Sequence, residues 1–223
     1  MESSRRFTLL GGLCAVVAIA ESGCSAPSGS QGPVVDTPPA GQSVPVVLVP
    51  VGSHWKVRVT EVPGSVREEE RTLIELQFDG RSAYGIQGAL STTIVTKDTF
   101  NEIGTIRDGK IATRTDPEWK SFSSPLWIGK TWDTNNSFVD VQRGVTFFNQ
   151  SRRMRVAAFE DVTVPAGTFK AFRIESGQFT DASESKYWYA PSIKLVVKTV
   201  SQRHANHYLG VGNTTTELLT VPT

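Results

Sequence analysis

The chain has 223 residues and a net charge of +1, from 23 basic and 22 acidic side chains. This balanced charge contains no long basic run, which argues against a nucleic-acid partner. The two cysteines, Cys14 and Cys24, lie near the start of the chain. The rest of the chain can therefore form neither an internal disulfide nor a thiolate metal site.

Residues 1–23 have the parts of a secretory signal peptide. The basic pair Arg5-Arg6 is followed by an uncharged apolar run from Phe7 to Ala20, and small residues precede Cys24. This run of 14 residues is too short to span a bilayer core of about 30 Å as a helix. We predict a leader that is removed on export to the cell envelope, by either the general or the twin-arginine route.

Two cleavage sites compete at the end of this leader. Ser22-Gly23-Cys24 resembles the lipobox of bacterial lipoproteins, which implies cleavage before Cys24, lipidation of Cys24 with palmitate and tethering to a membrane. Ala18-Ile19-Ala20 instead has the A-x-A pattern, which would release a soluble periplasmic or secreted protein beginning at Glu21. The sequence favours the lipoprotein site, and the second site remains the alternative.

Residues 24–47 are predicted to form a linker. Prolines and glycines are frequent there, and prolines favour extended chain conformations over a packed core. Residues 48–223 are long enough for a single domain, since chains of this size bury roughly 70% of their unfolded surface.

The domain is predicted to be all-β. Short runs rich in Val, Ile, Thr and aromatic residues alternate with turn residues, and no apolar stripe with helical spacing appears. Short connections allow only antiparallel neighbours. The predicted strands are 54–62, 71–79, 83–88, 90–99, 102–107, 110–115, 136–142, 145–150, 152–164, 168–178, 185–190, 193–203 and 213–221.

Three turns are predicted from local sequence. Asp108-Gly109 is typical of a type I′ hairpin, because both residues tolerate positive φ angles. Pro165-Ala166-Gly167 predicts a three-residue hairpin loop that Gly167 closes in a left-handed conformation. Glu68-Glu69-Glu70 is interpreted as a hairpin tip.

Several predicted strands are apolar on both faces. Val156 and Ala158 occupy one face of their strand, while Ala157 and Phe159 occupy the other. Either a bulge shifts the alternation, or both faces of the sheet are covered. We predict a strongly curved antiparallel sheet, a half-barrel or flattened sandwich, with little or no helix in the mature domain.

The segments 160–174 and 187–191 carry a family resemblance. Their sequences, EDVTVPAGTFKAFRI and YWYAP, resemble a pattern that recurs in uncharacterised exported bacterial β-rich lipoproteins. These proteins are distantly similar in shape to the periplasmic lipoprotein carriers, whose curved sheet wraps an apolar cavity and which also use helices. The resemblance implies a β fold and an exported location, and it supplies no functional residues.

Two groups of side chains are candidates for binding. Tyr187, Trp188 and Tyr189 place Trp188 on one face of a strand and both tyrosines on the other, so either face could present aromatic rings to a ligand. Arg153 and Arg155 share a strand face and could contact anions or lipid headgroups. The alternatives are core packing for the aromatic residues and a solvated, ion-paired face for the arginines.

No catalytic motif, phosphate loop or metal-ligand pattern is present in the sequence, and no cofactor is predicted. The favoured function is a non-enzymatic envelope protein that binds an apolar small molecule or an envelope partner. The alternative is a hydrolase in which His54, His204 or His207 meets an acidic residue only in the fold.

Overall fold

The computed structural model describes residue 35, residues 37–179 and residues 182–223, with only the backbone given for residues 178 and 179. The predicted signal peptide, both cleavage sites, Cys24 and most of the predicted linker lie outside this part of the chain. The described residues contain no helix, and hence no helical segment there could cross a membrane.

Twelve β-strands make up the domain. Their bounds are β1 His54–Val62, β2 Val66–Phe78, β3 Arg81–Gln87, β4 Thr92–Val95, β5 Glu102–Arg107, β6 Lys110–Trp119, β7 Thr131–Asp140, β8 Val145–Val164, β9 Gly167–Phe179, β10 Ser183–Ala190, β11 Leu195–Arg203 and β12 Gly212–Leu218.

The strands form a closed barrel in which each strand pairs with its neighbours in sequence. All of these pairs are antiparallel, as the short connections predict. The barrel closes because β1 pairs with β2 on one side and with β12 on the other, where Val57 lies opposite Leu218. Closure leaves no strand with an unpaired edge.

The all-β prediction is confirmed, but the half-barrel or flattened sandwich is wrong in its degree of closure. Hairpin signals in the sequence are local, whereas closure depends on the pairing of the first and last strands. The predicted strands 145–150 and 152–164 are one strand of 20 residues, β8, which pairs with β7 along one part and with β9 along the rest.

Two of the three predicted turns are present. Asp108 and Gly109 have φ angles of 51° and 70° and join paired Arg107 and Lys110, which confirms the type I′ hairpin. The β8–β9 hairpin also forms and Gly167 has a φ of 132°, but Val164 pairs directly with Gly167, so the loop has two residues instead of three.

The prediction of a hairpin tip at Glu68-Glu69-Glu70 is wrong. These residues lie within β2, opposite Arg58, Val57 and Lys56 of β1. Glu69 is buried, while its two neighbours are exposed. A hairpin tip would expose all three carboxylates, whereas a strand sends alternate side chains to opposite faces.

Bulges interrupt two of the strands that are apolar on both faces. The register of β8 against β9 shifts between Val156 and Ala158, and that of β10 against β11 shifts between Trp188 and Tyr189. An inserted residue reverses the alternation of inward and outward side chains. In β10 the consecutive residues Tyr189 and Ala190 are both buried, whereas the buried apolar residues of β8, Met154, Val156, Val162 and Val164, keep one parity.

Two segments outside the barrel strands, one before β1 and one between β6 and β7, also contribute to the core. Val44 and Leu126 form an isolated bridge with N···O distances of 2.9 and 2.7 Å. Val46 packs with Leu126, Met154 and Phe172 in one buried cluster. Val44 and Val46, which the sequence places in the linker, are thus part of the packed structure. We call residues 44–49 the N-terminal strap.

Candidate functional site

Two of the cavities in the described part of the domain share lining residues. The larger has a volume of about 460 Å³ and the smaller about 240 Å³. Glu102 of β5, Tyr187 of β10 and Ser121 of the β6–β7 connection line both cavities. The cavities therefore adjoin at these three residues, which we call the junction. We call the two cavities together the lumen; the larger alone falls within the usual range for ligand pockets.

The smaller cavity is mainly apolar. The strap supplies Val46 and Leu48 to its wall, and the Tyr189 hydroxyl fixes the strap by accepting a hydrogen bond from Val47 N–H and donating one to Val47 C=O, each at 2.8 Å. The remaining apolar wall consists of Trp55, Ile86, Val95, Phe100, Phe122, Leu195 and Val196.

The charged side chains of the smaller cavity neutralise one another. Arg71 donates two hydrogen bonds to Glu69, at 2.9 and 2.8 Å, and Arg67 lies 3.6 Å from the same carboxylate. The Glu69 side chain is only 6% exposed. A buried charge of this kind is tolerated when it is paired and hydrogen-bonded. This network leaves the cavity with an apolar surface and a compensated ionic wall.

The larger cavity has a polar wall built around Arg152. This side chain is 5% exposed, its guanidinium lies 3.9 Å from the centre of the Trp119 ring, and it donates a hydrogen bond of 2.7 Å to Ser183 Oγ. Stacking on an aromatic face favours a guanidinium in a desolvated site. Other polar lining residues are Gln150, Ser185, Ser201, Arg203, Asn206 and His207.

An aromatic cluster borders the larger cavity at the loop between β11 and β12. Tyr208 of this loop lies 4.9 Å from Phe147 and 6.3 Å from Phe138, measured between ring centres. All three rings line the cavity. The loop is held in place partly by Arg203, which donates a hydrogen bond to Gly210 O. Aromatic rings and polar groups thus meet in the same wall.

Glu102 is directed into the junction by an irregularity in its strand. Glu102 pairs with Trp119, but Gly104, only two residues later, pairs with Arg114. The extra residues on β6 interrupt the regular ladder here. Such irregularities re-aim side chains next to functional sites. Glu102 is half-buried, and it lines both cavities.

Burial raises the pKa of the Glu102 carboxyl from its ordinary value of 4.5 to about 7, against the opposing attraction of the Arg152 charge. A carboxylate loses much of its hydration in such a site, which favours the neutral acid. Burial also raises the pKa of Tyr187, whose hydroxyl interacts with Ser185 and Ser121. The junction thus holds a carboxyl group that changes protonation near neutral pH.

The structure separates the three aromatic residues named from the sequence. Tyr187 lines both cavities and Tyr189 lines the smaller one. Trp188 points to the other side of β10, where its indole N–H donates a hydrogen bond of 2.9 Å to Glu160. The tyrosines are therefore placed where a ligand could meet them, and ligand contact itself stays a prediction.

Arg153 and Arg155 lie on the opposite side of β8 from buried Arg152 and Met154. Arg153 is exposed and forms two hydrogen bonds with Asp133, at 2.9 and 3.1 Å. Arg155 is half-buried and lies opposite Glu175 in the β8–β9 ladder. An anion or headgroup contact at this face stays a prediction.

The histidines do not converge. The His54 ring forms a hydrogen bond with the Thr223 hydroxyl. The His204 ring lies 3.4 Å from the Glu184 carboxylate, and this exposed pair lines neither of the two cavities. His207 lines the larger cavity and accepts a hydrogen bond from Leu209 N–H. Within the described residues, no group of three or more His, Cys, Asp or Glu side chains is arranged to hold a metal ion.

Sequence reasoning missed Glu102, Glu69 and Arg152 as lumen residues. For Arg152 a signal was available, because Arg153 and Arg155 share one strand face and Arg152 must then share the other with Met154. For Glu102 no such signal exists, since its direction depends on the irregular pairing of β5 with β6.

The fold and the site together define an all-β barrel with a partly apolar internal lumen. No protein-family model matches the chain, and no curated protein matches its sequence. The chain is similar to the hypothetical lipoprotein YmcC from Escherichia coli, at 8% identity and a TM-score of 0.42 over 78% of this chain and 90% of that chain.

Two further solved structures show a similar likeness. One is a candidate exported protein with a YmcC-like fold from Bacteroides fragilis, at 10% identity and a TM-score of 0.41 over 80% of this chain and 99% of that chain. The other is a candidate lipoprotein from Parabacteroides distasonis, at 10% identity and a TM-score of 0.36 over 80% of this chain and 98% of that chain.

Proposed function

We propose that this protein is an exported binding protein of the cell envelope whose barrel lumen holds a small molecule with an apolar part. The observation that supports this proposal most directly is the pair of adjoining cavities, 240 and 460 Å³ in volume, lined by aromatic rings and a few polar groups. Ligand sites commonly combine a mainly apolar wall with a small number of placed polar groups.

The unfilled volume and the buried charges inside the barrel support the same proposal. Folded proteins normally fill their interiors closely, and voids of this size are uncommon without an occupant. Buried charges such as Arg152 and Glu69 are also costly to place in a protein interior. A barrel selected for stability alone would gain by filling this space with apolar side chains.

We further propose that Cys24 carries lipid and that residues 24–43 tether the barrel to a membrane. The lipobox-like Ser22-Gly23-Cys24 supports the lipid, and the proline-rich composition that follows supports an extended spacer. The strap begins at Val44, where pairing with Leu126 joins the tether to the barrel.

Replacing Cys24 by Ser is expected to abolish lipidation. Labelled palmitate supplied to the host should be incorporated into the full chain and lost completely in Cys24→Ser, because the thiol is the acceptor. Cys14→Ser, which changes the only other cysteine, should keep the label. Equal labelling of the wild type and Cys24→Ser would contradict lipidation at this residue, and no labelling of either would favour cleavage before Glu21.

Filling the smaller cavity is expected to weaken ligand binding. Thr199 of β11 lines this cavity, so Thr199→Trp should occupy most of its volume. We expect binding of phenylnaphthylamine, an uncharged apolar fluorescent probe, to weaken at least about tenfold, which corresponds to roughly 1.4 kcal/mol. Fluorescence titration of the purified full chain measures this change.

Thr146→Trp is the matched control, because Thr146 is exposed on β8 and lines neither cavity. It should bind the probe as the wild type does. Thr93→Trp, from another strand that lines the same cavity, guards against a local packing defect at Thr199. The proposed function would be refuted if Thr199→Trp and Thr93→Trp both fold and still bind the probe as the wild type does. It would also be refuted if the wild type does not bind the probe.

A further inference from the structure

The two ends of the lumen differ in their charged groups. In the smaller cavity, Glu69 is already paired with Arg71. In the larger cavity, the described lining contains Arg152 and Arg203 as cations and Glu102 as its single carboxyl. An amphiphilic molecule would therefore find an apolar wall on one side of the junction and, on the other, a polar, hydroxyl-rich wall that contains two arginines.

We propose that the ligand of the lumen is an amphiphilic carboxylic acid, with its apolar chain in the smaller cavity and its carboxylate at the junction beside Arg152 and Glu102. This inference rests on the proposed function, because it assigns a chemical class to the molecule that the lumen binds. It also makes binding dependent on the protonation of Glu102.

Two hydroxyl groups lie at the junction, and the charge of Arg152 acts on it from the larger cavity. The fixed positive charge of Arg152 acts electrostatically on both Glu102 and Tyr187. The Tyr187 hydroxyl and the Ser121 hydroxyl interact with each other at the boundary of the two cavities. A carboxylate is an acceptor that suits such donors, and charge-assisted hydrogen bonds are stronger than neutral ones.

A cationic headgroup fits this position poorly. It would lie beside the buried guanidinium of Arg152, and repulsion between like charges is weakly screened away from water. Glu102 could attract it only as a carboxylate. Burial raises the pKa of Glu102 to about 7, which weakens this attraction near neutral pH.

In its neutral form, the Glu102 carboxyl group favours the binding of an anionic ligand. When protonated, Glu102 can donate its O–H to the ligand carboxylate, and the repulsion between two carboxylates disappears. A bound anion raises the pKa of Glu102 further. Binding above pH 7 must therefore take up a proton, whereas below pH 7 the proton is already present.

The charged and titratable groups around Glu102 come from several elements. In addition to Arg152 of β8 and Tyr187 of β10, those lining the two cavities are Glu69, Arg71, Arg203, His207 and Tyr208, together with Tyr189 on the smaller side. The test must therefore separate the effect of Glu102 from the titration of this surrounding set.

Competition against phenylnaphthylamine provides the test, with decanoate, decanol and decylamine as competitors that share one apolar chain. We expect decanoate to bind the full chain most tightly at pH 7. Its affinity should fall by up to about tenfold per pH unit above 7, the limit for uptake of one proton. Calorimetry in two buffers of different ionisation enthalpy should show proton uptake on decanoate binding.

Glu102→Gln is the diagnostic variant, because it keeps the size of the side chain and removes the titration. It should bind decanoate with an affinity that is nearly independent of pH between about 6 and 9. Glu70→Gln removes an exposed carboxyl from the outer side of β2 and should keep the wild-type pH profile.

The outcomes separate this inference from the proposed function. Tighter binding of decylamine, or a decanoate affinity that does not change with pH in the wild type, would overturn the carboxylic-acid assignment. Failure of all three competitors to displace a probe that does bind would overturn it too, while the lumen would remain a binding site. Failure of the wild type to bind the probe would overturn both.

Discussion

Gly104→Ala is expected to lower the free energy of unfolding by about 3 kcal/mol, at the upper end of typical overpacking costs. A Cβ atom at Gly104 would overlap the carbonyl oxygen of Thr113 and would lie 2.7 Å from the Phe78 ring. The overlap is with backbone of the paired strand β6, so no side-chain rotation can relieve it. Thermal denaturation of the full chain should show a melting temperature lower by roughly 10 °C.

Gly109→Ala is the matched control for this prediction. Gly109 lies in the same β5–β6 hairpin and also has a positive φ, 70°, but an added Cβ would meet no atom within 4 Å. The left-handed conformation alone should cost about 1 kcal/mol. Equal melting temperatures for the two variants would contradict the close approach at Gly104. Because Gly104 follows the irregular pairing at Glu102, its replacement should also disturb the junction.

Leu126→Ala is expected to destabilise the protein by about 3 kcal/mol, within the range for truncating a buried leucine. The Leu126 side chain is fully buried, and its backbone exchanges two hydrogen bonds with Val44. The variant would leave a void beside Val46 and Met154, in the cluster that joins the strap to the barrel. Chemical denaturation, which gives the free energy of unfolding directly, measures this effect.

Ile128→Ala provides the control from the same segment. Ile128 is 46% exposed, so its truncation should change the free energy of unfolding by less than about 0.5 kcal/mol. A small effect of Leu126→Ala, similar to that of Ile128→Ala, would show that the strap does not pack as described. Increased proteolysis within residues 44–49 of Leu126→Ala would support the coupling between this leucine and the strap.

Gly104→Ala and Leu126→Ala are both expected to change the lumen as well as the stability of the protein. The strap supplies Val46 and Leu48 to the smaller cavity, and Gly104 permits the close β5–β6 pairing that follows Glu102. Losses of probe binding that parallel the losses of stability are therefore expected. Glu102→Gln differs from both, because it should alter the pH dependence of binding without a comparable loss of stability.

The features that sequence predicted well are local ones. Asp108-Gly109 specifies its hairpin because the two residues themselves tolerate positive φ. The antiparallel order follows from connections too short for a crossover. The faces of Tyr187 and Tyr189 relative to Trp188 follow from the two-residue period of a strand, although the bulge at Trp188/Tyr189 alters their pairing with β11.

The functional site depends on non-local pairing and was therefore only partly predictable. Glu69 was interpreted as part of an exposed turn, but the extended β2 places it inside, where Arg71 compensates its charge. Arg152 is adjacent to Arg153 in the sequence but lies on the opposite face of β8. Its burial against Trp119 of β6 brings together residues more than 30 positions apart in the sequence.

The amino-acid sequence by itself determined the all-β character and the hairpin at Asp108-Gly109, while the export leader stays a prediction. These follow from composition, short-range periodicity and the conformational limits of single residues. Only the tertiary structure decided that β1 meets β12 and that Glu102 lies between two cavities. Barrel closure and the environment of a buried carboxyl depend on contacts between distant strands, which no local pattern encodes.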